Sequence, residues 1–354
     1  MTATTPPGTR PPGPGHSHPP VLTVVHDHQD DHAFMTAALA AHDPALGRIT
    51  VHPTPGASAP AALAHDLLRS LGRHSPLAGS QDAASWATNA QSAWRAVAAW
   101  ILGLRITHLV VTRAHRIGAR HFQDLLALRE LTAIRVTLVC HGPLPAAQAA
   151  VLKALPHEAL HTLGDLRAAL SAPAGPPLAG TFAWWTGGEE VWPHPEEPCF
   201  LLPTRRGPGP AAVRAAARHL GRRMITLPAG GRFPHDPDED TALLARRIHT
   251  RIAHPVRAAA LAVQVFTGRP AGEWARTAPP PLDASGTTGA RAGRHPKPPS
   301  WAADLVESAL HFVRLEGRTP AVRPLRLSPW DHRALTEAAG TCGLHEHQTP
   351  GSPR

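Results

Sequence analysis

Two groups of residues have the types and spacing to do chemistry. The first is His157-Glu158-Ala159-Leu160-His161, a literal H-E-x-x-H. On a helix, histidines four apart share a face and can hold one zinc ion while the glutamate activates water. A zinc-dependent hydrolase using His157, Glu158 and His161 is therefore one reading. The surroundings favour another. Pro156 stands directly before the motif and Thr162-Leu163-Gly164 directly after, and Arg167 fills the place of a third metzincin ligand. A short edge strand and a helix start account for the same residues. The second group is the run His26-Asp27-His28-Gln29-Asp30-Asp31-His32. Its imidazoles and carboxylates could hold a divalent metal from one loop. The preferred reading is a solvated polar turn, with no metal and no cofactor.

Composition narrows the field. Of 354 residues, 40 are Pro and 29 Gly, so part of the chain must be linker or disordered. The net charge is +9, with the basic excess mostly in the second half, which fits solubility or contact with a polyanion. Cys140, Cys199 and Cys342 are odd in number and far apart, so neither a disulfide framework nor a C-x-x-C metal pair is expected. No apolar run is long enough to span a membrane and the N-terminus lacks an apolar leader; a soluble, cytoplasmic protein is expected. The chain contains no tyrosine.

Strand-like and helix-like patterns alternate over 20–170. Val21–Val25, Arg48–His52, His108–Val111 and Arg135–Val139 are apolar β-type runs, with a short fifth strand at Ala159–Leu163. Helical spacing marks Phe34–Ala41, Ala61–Leu71, Ser85–Leu102, Phe122–Leu131, Ala146–Leu155 and a segment to Leu170. This alternation predicts an α/β fold, a parallel sheet covered on both faces. A tail over 1–19 precedes it and a Pro/Gly/Ala linker over 171–180 follows. The remainder, 181–340, reads as a mainly helical domain. It begins with a Trp-rich hairpin or irregular β piece (Thr181–Leu202, with Trp184, Trp185 and Trp192) and contains a flexible loop, 276–299. Helices are expected at 210–221, 239–252, 254–267, from Ser300 to about Leu315 and from Ser328-Pro329 to about Ala339; 341–354 reads as a disordered tail.

Three places in the first unit resemble an AAA-type P-loop ATPase core of the transposition-helper or STAND-like regulatory kind. They are the strand-loop-helix at 21–41, the segment Thr107–Arg116 in the manner of a Walker B strand, and Val136–Gly142 in the manner of a sensor strand. The resemblance implies a three-layer P-loop-NTPase-like core in a mobile-element or transcription context. A phosphate loop would have glycines at 26 and 31, Lys at 32 and Ser or Thr at 33. Here the loop holds His26, Gln29, Asp31, His32 and Ala33, and Thr112 and Arg113 stand where Walker B acids would hold magnesium. Carboxylates facing phosphates and an arginine at the metal position both oppose nucleotide chemistry. The expectation is a non-hydrolysing, ATPase-like regulatory or binding protein, more a binding module than an enzyme. A nucleotide-binder with an unusual loop is the alternative within the same fold. Convergence of 26–33 and 112–113 at the carboxyl ends of adjacent parallel strands would support the ancestry, and placement of Val21–Val25 and Leu109–Val111 in different sheets would end it.

The second half has a fainter echo. Ala258–Trp274, with Pro270 in place of an arginine, resembles the T-G-L-R-x-x-E-L box of tyrosine recombinases, and Pro296–Leu310 resembles the strand and helix that follow. Without a tyrosine the phosphotyrosine intermediate is impossible. Arg205, Arg206, Arg222, Arg223, Arg246, Arg247 and Arg251 are the candidate DNA contacts. Leu243, Leu244, Ile248 and Ile252 form the apolar stripe of the 239–252 helix, so its charges are expected to face away from the core. DNA or a protein is the expected partner, and no membrane.

Overall fold

Runs of β-branched residues form the strands of the first sheet. In the computed structural model, which describes residues 21–74, 88–171, 197–202, 222–227, 239–268, 298–317 and 329–346, these are β1 (Leu22–His26), β2 (Arg48–Val51), β3 (His108–Val111), β4 (Arg135–Cys140) and β5 (Glu158–Leu160). The order is β2-β3-β4-β1-β5 and every neighbouring pair is parallel. β1 and β3 thus share a sheet but are not adjacent, because β4 runs between them. The expected direct meeting of their loops is corrected accordingly.

Parallel strands need crossovers. Here they carry α1 (His32–Ala40), α2 (Ala62–Ser70), α3 (Ala90–Gly103), α4 (Ala119–Thr132), α5 (Ala146–Lys153) and α6 (Leu163–Ser171). Successive strand residues point to opposite faces. Val25, Val110 and Val139 meet Phe34 and Ala38 of α1 and Leu166 and Leu170 of α6. Val24, Leu109, Val111 and Leu138 lie in the opposite core with Leu67 of α2, Trp100 of α3, Phe122 of α4 and Leu152 of α5. The connection out of β1 therefore runs over one face, and that out of neighbouring β4 over the other. A crevice forms at the carboxyl ends of strands that diverge in this way, and ligands of open α/β sheets bind there.

The second half contributes α7 (Glu239–Arg251), α8 (Pro255–Thr267), α9 (Ser300–Leu315) and α10 (Pro329–Thr341). It also forms a small parallel sheet, order β7-β6-β8, from β6 (Cys199–Leu202), β7 (Met224–Thr226) and β8 (Leu344–Glu346). Cys199–Leu202, the described end of the Trp-rich segment, is a β strand that pairs in parallel with distant segments. One expectation changes: 344–346, read as tail, is a strand. The linker, Trp184, Trp185, Trp192, the 210–221 helix and residues 276–297 lie outside the described residues.

The two halves share one hydrophobic core, in which Leu244, Leu261, Trp301 and Leu305 join Trp100 and Leu67. The α3–α9 crossing is close. A Cβ on Gly103 would fall 2.1 Å from Ser308 Oγ and 2.8 Å from Ser308 Cα, so only glycine fits there. Trp100 is fully buried and its Nε1 donates to Ala253 O at 2.7 Å, with the Arg73 guanidinium 3.9 Å above the ring. Arg73 Nη1 donates to His249 O and to His249 Nδ1 (3.0 Å). The other ring nitrogen of His249, Nε2, donates to Trp301 O at 2.7 Å, which fixes the neutral tautomer. Burial pushes His249 down to about 3, and the Arg73 charge adds to the effect. Burial likewise lowers Arg73 to about 9, with Asp304 opposing.

Candidate functional site

At the carboxyl ends of β1 and β4, where open α/β sheets bind ligands, the residues that directly follow the strands come together. Asp27 N donates to Cys140 O at 2.9 Å, which extends the β1–β4 ladder by one step and holds the Asp27 side chain at the crevice. Its carboxylate is 3% exposed; Oδ2 lies 2.7 Å from His141 Nδ1 and Oδ1 accepts from Gln29 N at 3.2 Å. Asp30 has left-handed backbone (φ 51°) and brings its Oδ1 within 3.4 Å of the same His141 Nδ1. The His141 side chain is only 1% exposed, and its Nε2 has no hydrogen-bond partner among the described residues. The His141 backbone N–H donates to His115 Nδ1 at 3.2 Å, and the two rings meet edge to face.

Asp31 is the N-cap of α1; its Oδ1 accepts from Ala33 N at 2.9 Å. Free N–H groups and the helix dipole make a helix N-terminus an anion site. Here the chain's own carboxylate occupies that place. His32 is exposed at the first helical position, its Nδ1 3.0 Å from Thr36 Oγ1. His26 stacks between His28 and His161, with centroids 5.7 and 5.3 Å away. Burial, and then the charges of His161, His28 and His157, lower its proton affinity.

On the β3 side, Thr112 is buried and its hydroxyl donates to Val51 O at 3.2 Å. With that proton committed, His52 Nδ1 donates to Thr112 Oγ1 at 2.9 Å. Arg113 follows in left-handed backbone (φ 50°) and opens a 3-10 turn, Ala114–Arg116. Desolvation, then Arg113, lowers His52; desolvation, then Arg116, lowers His115. The edge thus presents neutral imidazoles and two carboxylates near one buried histidine. Cys140 is buried and pushed up to about 12, which removes it as a nucleophile.

The histidines of the H-E-x-x-H motif do not converge. Glu158–Leu160 is the edge strand β5, and a strand holds residues four apart at about 13 Å. His157 and His161 are both exposed, and His157 Nδ1 lies 3.0 Å from Leu155 O. A zinc centre built on His157, Glu158 and His161 needs a helix, and Glu158–Leu160 is a strand instead; that alternative is withdrawn.

The arginines of α7 need a second correction. Arg247 and Arg251 are 3% and 7% exposed at their side chains. Arg251 makes a bidentate pair with Glu197 (2.6 and 2.9 Å), and Arg247 donates to Pro198 O at 2.8 Å and pairs with the same carboxylate. Because α7 lies between β6, α8 and α9, both its faces are covered and these charges point inward. Arg223 pairs with Asp240 at 2.9 Å on the surface, and Arg222 and Arg246 are half-buried. Arg205 and Arg206 lie outside the described residues. Helix α8, where the recombinase-like box begins, is a core helix buried over Ala258–Phe266; Pro270 falls outside the described residues.

Sequence reasoning missed His52, His115 and His141 as site residues. The signal was present for two of them, since His52 and His141 are the first residues after apolar strands. Comparison with protein-family models, curated proteins and solved structures finds no match for this chain.

Proposed function

We propose that the chain is a non-hydrolysing, ATPase-like binding and regulatory module that acts by contact with a partner protein. One observation carries this reading: the loop's own carboxylates occupy the donors and the space that a phosphate would need. Asp31 caps α1, and Asp27 is tied to His141 in the crevice. A carboxylate about 4 Å from a phosphate oxygen costs about 4 kcal/mol at an effective dielectric of 20, and no lysine offsets it. Support for the ancestry comes from placement. The three segments that resemble phosphate loop, Walker B strand and sensor strand leave the sheet on one edge, with β4 between β1 and β3. A protein partner is favoured over DNA because Arg247 and Arg251 are committed to Glu197.

Titration of the full chain with a fluorescent ATP analogue and magnesium tests the reading, with phosphate release followed in parallel. We expect no saturation at millimolar nucleotide and no turnover. Saturable binding or ATP hydrolysis would end it. Salt-dependent binding to duplex DNA would instead restore DNA as the partner.

A further inference from the structure

We infer that Asp27, Asp30 and His141 form a binding site for one divalent transition-metal ion of the zinc and cobalt class, at the crevice between β1 and β4. The ligand atoms of the three side chains lie within 4.8 Å of one another. Two carboxylates share a single imidazole nitrogen, at 2.7 and 3.4 Å from His141 Nδ1. Two donors bound to one ion at about 2.1 Å lie about 3.0–3.4 Å apart in octahedral or tetrahedral coordination, so small movements would suffice.

The polar groups outnumber what the protein offers them. Nδ1 can carry one proton, and two carboxylates compete for it. Asp27 is buried, yet its carboxylate has only Gln29 N and His141 as partners among the described residues, against about four acceptor positions. The His141 ring is almost wholly buried, so little water screens it from the carboxylates. Two carboxylates crowded on one imidazole nitrogen are balanced better by a dication than by a single shared proton. A dication would balance both negative charges, take the Nδ1 lone pair and leave Nε2 as an N–H. The mixed donor set of imidazole and carboxylates favours zinc or cobalt over magnesium or calcium. Three protein donors leave a further coordination position for water. His115 accepts the His141 backbone N–H and meets its ring edge to face.

This site does not rest on the ATPase-like reading, and cobalt titration separates the two. Chelator-treated full-length protein would be titrated with Co2+ and followed by its visible ligand-field bands, with Zn2+ as competitor. The expected result is one saturable site, displaced by Zn2+ and unaffected by Mg2+. Asp30→Asn neutralises a carboxylate on a side chain that is 60% exposed, so the fold should persist, and it should weaken Co2+ binding at least tenfold. His141→Gln should abolish the bands. If His141→Gln does not fold, as judged by circular dichroism, Asp30→Asn decides alone. His26→Gln/His28→Gln should leave the affinity unchanged. No saturable Co2+ binding, or wild-type affinity in folded Asp30→Asn, overturns the inference.

Discussion

Two buried histidines, His141 and His249, serve different ends. His249 is closed on both nitrogens: Arg73 donates to Nδ1, and Nε2 donates to the Trp301 carbonyl. Its neighbours come from helices that the chain must bring together in any case, so its chemistry is spent on joining the halves. His141 has carboxylates from a loop on one nitrogen and, among the described residues, no partner on the other. The difference lies in the partners: His249 meets neutral and cationic groups of the segments it joins, whereas His141 meets two carboxylates at a single nitrogen.

The comparison can be broken most forcefully at the seam. Trp100→Ala should cost about 3–5 kcal/mol, because it empties a fully buried indole site and uncovers Arg73 and the Ala253 carbonyl. Chemical denaturation would measure it, and a loss under about 1 kcal/mol would show that the halves are not mutually dependent. Gly103→Ala should cost about 1–3 kcal/mol through overpacking against Ser308, with partial recovery in Gly103→Ala/Ser308→Gly. A double-mutant cycle would read the coupling.

Proton linkage gives the next effect. His249 and His254 are both pushed down to about 3 by burial, and His108 to about 4. Below about pH 6.5 the unfolded chain binds protons that the folded chain refuses, so stability is full above that pH. It should fall progressively as the pH drops toward 4. Thermal melts at pH 7.5, 6 and 5 should show a descending midpoint, and a flat profile would contradict neutral burial. The smallest effect belongs to the edge. Asp31→Ala should cost about 1 kcal/mol as a lost N-cap. Asp30→Asn should leave the melting midpoint unchanged while altering metal affinity.

The first sheet was legible because its strands are unbroken apolar runs, as in β3 with His108-Leu109-Val110-Val111, and because helical spacing separates them. Sheet order was not legible, since nothing local in β4 records that it lies between β1 and β3. α7 misled for a related reason. Its Leu244 and Ile248 stripe implies an exposed opposite face, but a carboxylate at Glu197 and carbonyls at Pro198 and Cys342 cover Arg247. The candidate site was half visible. Asp27 and Asp30 stand out in the loop, whereas His141 acquires meaning only when β4 is set beside β1. The H-E-x-x-H motif is the converse case, a local signal that the strand conformation of β5 dissolves.

The glycine crossing at Gly103 has a consequence for synthesis. Helix α3 emerges from the ribosome well before α9, whose Ser308 closes over it. At about 5–20 residues per second the delay is about 10–40 s. Throughout that interval the nascent α/β layer has a naked oily flank centred on Trp100. Ribosome-bound chains halted at residue 171 should bind a hydrophobic dye and recruit chaperones, and released full-length chains should do neither.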